Sequence, residues 1–181
     1  MDRFNRNSWL LLVLIFLDQI VKNLIESQKP VIEFGWLTIH QVHNTGASFG
    51  MLQGSNTVLI FVSMIVLGII MMNVKSIKRT QELPTIILIA GIIGNLIDRV
   101  FRGFVVDFFD LGWWPAFNVA DCCIVLGVAW LIIVLVVEEW KAKPVVKEKA
   151  SEPRLNQKAS KARRGLKKVL ISGKKKAKTK S

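Results

Sequence analysis

The sequence predicts an α-helical integral membrane protein of four transmembrane helices, with both termini cytoplasmic and a small extracytoplasmic β element. Three observations carry this expectation. Of the 181 residues, 51% are hydrophobic, more apolar than an ordinary soluble domain of this size. The apolar residues gather in four runs. The net charge of +12 is confined to one end: residues 141–181 hold 16 Lys and Arg against Glu148 and Glu152, while residues 1–140 hold 9 bases and 11 acids. A membrane domain (1–140) followed by a basic tail (141–181) accounts for all three.

The four runs cover about residues 9–25, 58–74, 84–99 and 117–137, to be set against the ~20 residues a helix needs to cross the hydrocarbon layer. The second and fourth are continuous. The first reaches adequate length only by including Asp18 and Lys22, and the third only by including Asn95, Asp98 and Arg99, so polar groups sit at membrane depth. Arg3 and Arg6 ahead of the first run resemble a secretory leader, but no small-residue cleavage site follows and Asp18 interrupts the run, which predicts a retained first helix.

Orientation follows from the bases. Arg3 and Arg6, then Lys75, Lys78 and Arg79, then the tail fall on one side, which the positive-inside rule makes cytoplasmic. Residues 26–57 and 100–116 become extracytoplasmic loops. Within the first, the imperfect alternation of VIEFGWLTIHQV (residues 31–42) predicts a strand pair on the membrane surface. The second carries Phe104, Phe108, Phe109, Trp113 and Trp114, amphipathic residues expected among headgroups. The tail, rich in Lys and Ala and lacking aromatics, is expected to be disordered. Its charge suits anionic lipid of the cytoplasmic leaflet, and nothing in it implies specific nucleic-acid recognition.

Charged side chains at bilayer depth are costly and mark functional sites by default. Asp18 and Lys22 lie four apart on the first helix, Asn95 and Arg99 four apart on the third with Asp98 between them, and Asn118 and Asp121 three apart at the start of the fourth. Asp107 lies in the loop leading into that helix. All but Asp18 fall at the extracytoplasmic ends. Asp18 with Lys22, and Asp98 with Arg99, fit a neutralising ion pair as well as a functional one. Asp107 and Asp121 have no base within four residues. Two such carboxyls brought together share one proton, and a pair in which one takes a proton from water while the other gives one to a carbonyl hydrolyses an amide without metal or cofactor.

Other chemistries find less material. His40 and His43 lack further ligands at a zinc spacing, Ser48, Ser55 and Ser63 have only His43 in evident reach, and the adjacent Cys122 and Cys123 suit packing as small hydrophobes. Gly91 and Gly94 predict a close helix approach. Gly46 and Gly50 of HNTGASFG predict a turn that aims Asn44 at the site. The rival readings are a small membrane transporter or proton-relay protein, which would spread its polar residues through the membrane, and a non-enzymatic anchor indifferent to Asp107 and Asp121.

The motifs DQIVK (from Asp18), NTGASFG (from Asn44), GIIGNLIDRVFRGFVVDF (from Gly91) and FNVADC (from Phe117) resemble, in this order, those of lipoprotein signal peptidase (signal peptidase II), over nearly all of residues 1–140. The resemblance implies an aspartyl endopeptidase of the bacterial cell membrane with its site on the extracytoplasmic side. It implies Asp107 and Asp121 as catalytic residues, with Asn44, Asn95, Arg99 and Asn118 positioning substrate and site, and Asp18 and Lys22 as a supporting pair. Gly46 and Asp98 lie in the same motifs. The implied substrate is a prolipoprotein with a diacylglyceryl cysteine, cut on the N-terminal side of that cysteine among membrane phospholipids, and the implied inhibitor is the cyclic peptide globomycin. Cys122 departs from the family, which usually has a small hydroxyl residue there, and the tail lies outside the resemblance.

Overall fold

Large apolar side chains point outward and charged ones inward in this chain. Leu12 and Phe16 are 68% and 65% exposed, whereas Lys22 and Asp98 are fully buried. That inversion is the signature of a surface solvated by lipid rather than water. The computed structural model describes residues 7–46 and 53–178 and, among these, the side chains outside 143–156 and 165–178. Ser48 and Gly50, weighed above, lie outside the described residues.

The element order is α1 (Ser8–Gln28), β1 (Ile32–Phe34), β2 (Leu37–Asn44), α2 (Asn56–Met72), α3 (Arg79–Phe101), β3 (Val105–Asp110) and α4 (Val119–Lys178), with a short 3-10 turn at Val74–Ser76. Among the described residues, three segments are long and apolar enough to cross a membrane: Ser8–Gln28, Arg79–Phe101 and Val119–Ala142. The apolar α2 has 17 residues, about 26 Å at the usual helical rise, and buries none of them against the rest of the chain. The chain divides into a unit of residues 1–134 and one of residues 135–181.

Two boundaries differ from expectation. The third helix starts at Arg79, not at Pro84, and carries Pro84 in its second turn, where little of the hydrogen-bond ladder lies upstream to be broken. The segment after Lys141, expected to be disordered, is helical to Lys178, with residues 157–164 exposed. Its Lys, Ala, Glu, Leu and Arg are good helix formers, and propensity needs no core to act.

The sheet has three strands in the order β1-β2-β3, both pairings antiparallel. The expected strand pair is present as β1 and β2, joined through Gly35 and Trp36 with Gly35 at φ 63°. The third strand was not anticipated. VVDFFD, expected as a loop with aromatics among headgroups, is β3, and Val105, Val106, Asp107 and Phe108 are all buried. A continuous apolar run buried on both faces lacks the period-two alternation that marks a strand in sequence. Phe108, Val106 and Ile25 form the small core, with Val21, Ile39, Phe104, Phe109 and Val119 packed on it.

α3 and α4 approach too closely for side chains at the crossing. A Cβ on Gly91 would stand 2.9 Å from the backbone nitrogen of Ile124, and one on Gly127 2.8 Å from that of Leu88. Gly91→Leu should therefore lower the unfolding temperature in detergent by an overpacking cost of about 1–3 kcal/mol. Gly68→Ala, where an added Cβ meets nothing within 4 Å, should leave it unchanged or raise it slightly.

Candidate active site

The site begins with a helix cap. Asn118 precedes α4, and its Oδ1 accepts the Asp121 backbone N–H at 2.9 Å, while Asp121 Oδ2 accepts the Asn118 backbone N–H at 3.2 Å. This reciprocal pairing satisfies two of the donors a helix start leaves without partners. It also fixes the Asp121 carboxylate at the mouth of α4. A third donor of that turn, the Ala120 N–H, goes to Asp18 Oδ1 at 2.9 Å, tying α1 to the same point.

Asn118 serves both acids. Its Nδ2 donates to Asp107 Oδ1 at 2.6 Å and to Asn95 Oδ1 at 3.2 Å. Asp107 comes from the middle of β3, not from a loop, and its other oxygen accepts Asn44 Nδ2 at 2.9 Å. Asn44 is held in turn by the Gly46 N–H, which donates to its Oδ1 at 2.9 Å, as the HNTG turn predicts. Asn95 Nδ2 donates to Asp121 Oδ1 at 2.8 Å. Burial, and next the neighbouring Asp121 charge, push the Asp107 carboxyl up to about 7.

Behind these residues lies an ion cluster without water access. Lys22 Nζ stands 2.9 Å from Asp18 Oδ2, 2.9 Å from Asp98 Oδ2 and 3.0 Å from Asn95 Oδ1, so all three ammonium protons have an acceptor. The anticipated Asp98–Arg99 pair is not formed. Asp98 pairs instead with Lys22 and with Arg102, whose guanidinium also reaches Glu26 Oε2 at 2.9 Å and Asn23 Oδ1 at 2.6 Å. Adjacent helix residues diverge by about 100°, whereas residues four apart share a face, which selects Arg102. Gln19 completes the group, donating to Asp98 Oδ1 at 3.2 Å and to the Gly94 carbonyl at 3.1 Å.

Gln19, Asn23, Glu26 and Arg102 were missed as site supports. The signal was present: Gln19, Asn23 and Glu26 recur at helical spacing beside Asp18 and Lys22. Arg99 lines the cavity, with one N–H to the Gly46 carbonyl at 3.5 Å and its Nε without a partner among the described residues. His40 and His43 are engaged elsewhere, His40 with Asp110 and His43 stacked on Phe104.

Asn44, Gly46, Asn95, Arg99, Asp107 and Asp121 line one cavity of about 720 Å³, whose remaining lining is largely apolar and includes Leu111, Trp113, Trp114, Phe117, Val125 and Leu126. Cys122, adjacent to Asp121, lines it as well. All ten residues singled out in the sequence thus fall into two connected layers. Asp107, Asp121, Asn44, Gly46, Asn95 and Arg99 face the cavity, and Asn118, Asp18, Lys22 and Asp98 hold them from behind.

Comparison with known proteins agrees with this geometry. The family model for Signal peptidase (SPase) II matches residues 10–137. A protein named Lipoprotein signal peptidase from Syntrophomonas wolfei is 38% identical over 136 residues, covering 70% of this chain and 90% of that one. One of the same name from Clostridioides difficile is 37% identical over 144 residues, covering 74% and 97%. A solved bacterial membrane enzyme superposes with a TM-score of 0.70 at 30% identity over 75% of this chain and 91% of that one. The chain belongs to the signal peptidase II family, the aspartic-type peptidases of lipoprotein processing.

Proposed function

We propose that this membrane enzyme removes signal peptides from lipoprotein precursors with Asp107 and Asp121 as its catalytic pair. The observation that carries the residue assignment is their shared anchor: one buried residue, Asn118, holds the Asp107 carboxyl through its side-chain amide and the Asp121 carboxyl through its backbone N–H, at the wall of one cavity. Two carboxyls so held share one proton. Asp107, raised to about 7, carries it at the start and donates it to the scissile carbonyl oxygen. Asp121 takes a proton from the attacking water, and the roles exchange as the amine leaves. Family membership removes the transporter alternative.

The substrate class follows from the two kinds of lining. The polar lining suits a peptide backbone, with the Arg99 guanidinium and the Asn44 and Asn95 amides as donors. The apolar lining of Leu111, Trp113, Trp114, Val125 and Leu126 suits the acyl chains of a diacylglyceryl cysteine, and the family resemblance implies cleavage on the N-terminal side of that residue. In this reading α2 is the fourth span, both termini are cytoplasmic, and the sheet and cavity lie at the extracytoplasmic leaflet among phospholipids. The distribution of Lys and Arg supports that orientation, and the basic tail then meets anionic lipid of the inner leaflet.

Asp107→Asn and Asp121→Asn should each reduce cleavage of a diacylglyceryl-modified precursor at least about a thousandfold, since each removes one half of the acid–base pair. Purified variants with unchanged unfolding temperature are the correct comparison, and turnover within tenfold of the parent in either would exclude that residue.

The pH profile supplies a second test. Below pH 7 the pair retains its shared proton. Above the Asp107 value of about 7 that proton is lost, and kcat/KM should fall by about tenfold per pH unit. A kcat/KM that stays level to about pH 9 would contradict the proton assignment.

A further inference from the structure

The turn that carries the two indoles of the cavity wall is fastened at three points, and one of them lies outside the acid–base machinery. At its neck, Phe109 and Phe117 exchange backbone hydrogen bonds at 2.9 and 3.0 Å. At its start, Asp110 Oδ1 accepts the Gly112 N–H at 2.7 Å, with Gly112 at φ 76°, a conformation glycine adopts without strain. The third is a side chain from the neighbouring strand: His40 Nε2 lies 2.9 Å from the other Asp110 oxygen. The β2–β3 register skips between Ile39 and Val42, and such a bulge re-aims the side chains within it. His40 is one of those residues.

The pair is half-exposed, 33% for His40 and 32% for Asp110, and touches neither Asp107 nor Asp121 among the contacts described. A half-exposed hydrogen-bonded pair adds little to global stability. Asp110 is nonetheless the only side chain described that bonds both β2 and the turn holding Leu111, Trp113 and Trp114. Its loss removes two of the described fastenings of the turn, and the indoles, set edge to face at 5.8 Å, lose that tie to the sheet that bears Asp107.

We propose that His40 and Asp110 form a clip that positions the Trp113–Trp114 wall, and so sets the affinity for the lipid-bearing part of the substrate without acting in the chemical step. The proposal rests on the lipid-anchored substrate assigned above. Both are positioning residues, and their loss should appear as weaker ground-state binding: KM rises while kcat holds.

The test measures kcat and KM of the full-length enzyme in detergent with a diacylglyceryl-modified precursor peptide. The variants are His40→Ala, Asp110→Ala, the double substitution and His40→Gln, which retains an N–H donor. His40→Ala should raise KM about fivefold with kcat unchanged, the scale of one lost ordinary hydrogen bond, and Asp110→Ala, which also leaves the Gly112 N–H without its acceptor, by at least as much. The double variant should be no worse than Asp110→Ala, in which the His40 contact is already gone, and His40→Gln should recover most of the loss of His40→Ala. Unchanged KM in both alanine variants would overturn the clip, as would a fall in kcat that tracks a fall in unfolding temperature. Failure of the parent enzyme to cleave the precursor would instead overturn the substrate assignment, and the clip with it.

Discussion

One buried ammonium group organises this molecule. Lys22, with no exposed surface, is surrounded by Asp18, Asp98 and Asn95 at 2.9 to 3.0 Å. In hydrocarbon these charges would be prohibitive singly. Together with Arg102 on Asp98, two bases balance the two fully buried acids, and Glu26 meets Arg102 at the more exposed edge of the group. The arrangement decides which faces of α1 and α3 meet, because any rotation of either helix would strand a charge in lipid. Apolar packing cannot make that choice here, since the outer faces are as apolar as the lipid they contact.

The site inherits its geometry from the cluster. Lys22 holds the Oδ1 of Asn95, leaving the Nδ2 to donate to Asp121. Asp18 takes the Ala120 N–H and fixes the start of α4, where Asn118 and Asp121 cap each other. Asp98 accepts the Val106 N–H at 3.3 Å, seating β3 one residue before Asp107. Each of the cluster's polar acceptors thus touches one element that bears a carboxyl of the proposed catalytic pair. Gly94, where a Cβ would stand 2.8 Å from Asp18 Oδ2, keeps the space these contacts need.

Much of this was legible in the sequence, because a charge in an apolar run has few explanations. Asp18, Lys22, Asn95, Asp98, Arg99, Asn118 and Asp121 stood out for that reason, and the order of their motifs pointed to the family. What stayed hidden depended on partners distant in the chain. β3 has no alternation because both of its faces are covered, so Asp107 read as a loop residue. Arg102 went unused because the expected third span ended at residue 99; α3 runs to Phe101, which puts Arg102 one turn beyond Asp98, while its reach to Glu26 depends on a distant helix. The Asp98–Arg99 pairing failed on helical geometry that the numbering already contained. The tail's helix follows from propensity, which a composition dominated by charge obscured.

The dependence on Lys22 is open to direct measurement by thermal unfolding in detergent of Lys22→Met beside the charge-balanced Lys22→Met/Asp18→Asn. Removing the cation alone leaves a buried carboxylate uncompensated, at a cost of about 3–5 kcal/mol, whereas the double substitution restores neutrality. The account predicts a large fall in unfolding temperature for the single variant and recovery of most of it in the double. A single variant that unfolds at the parent temperature would show that the buried ion cluster does not hold the fold together.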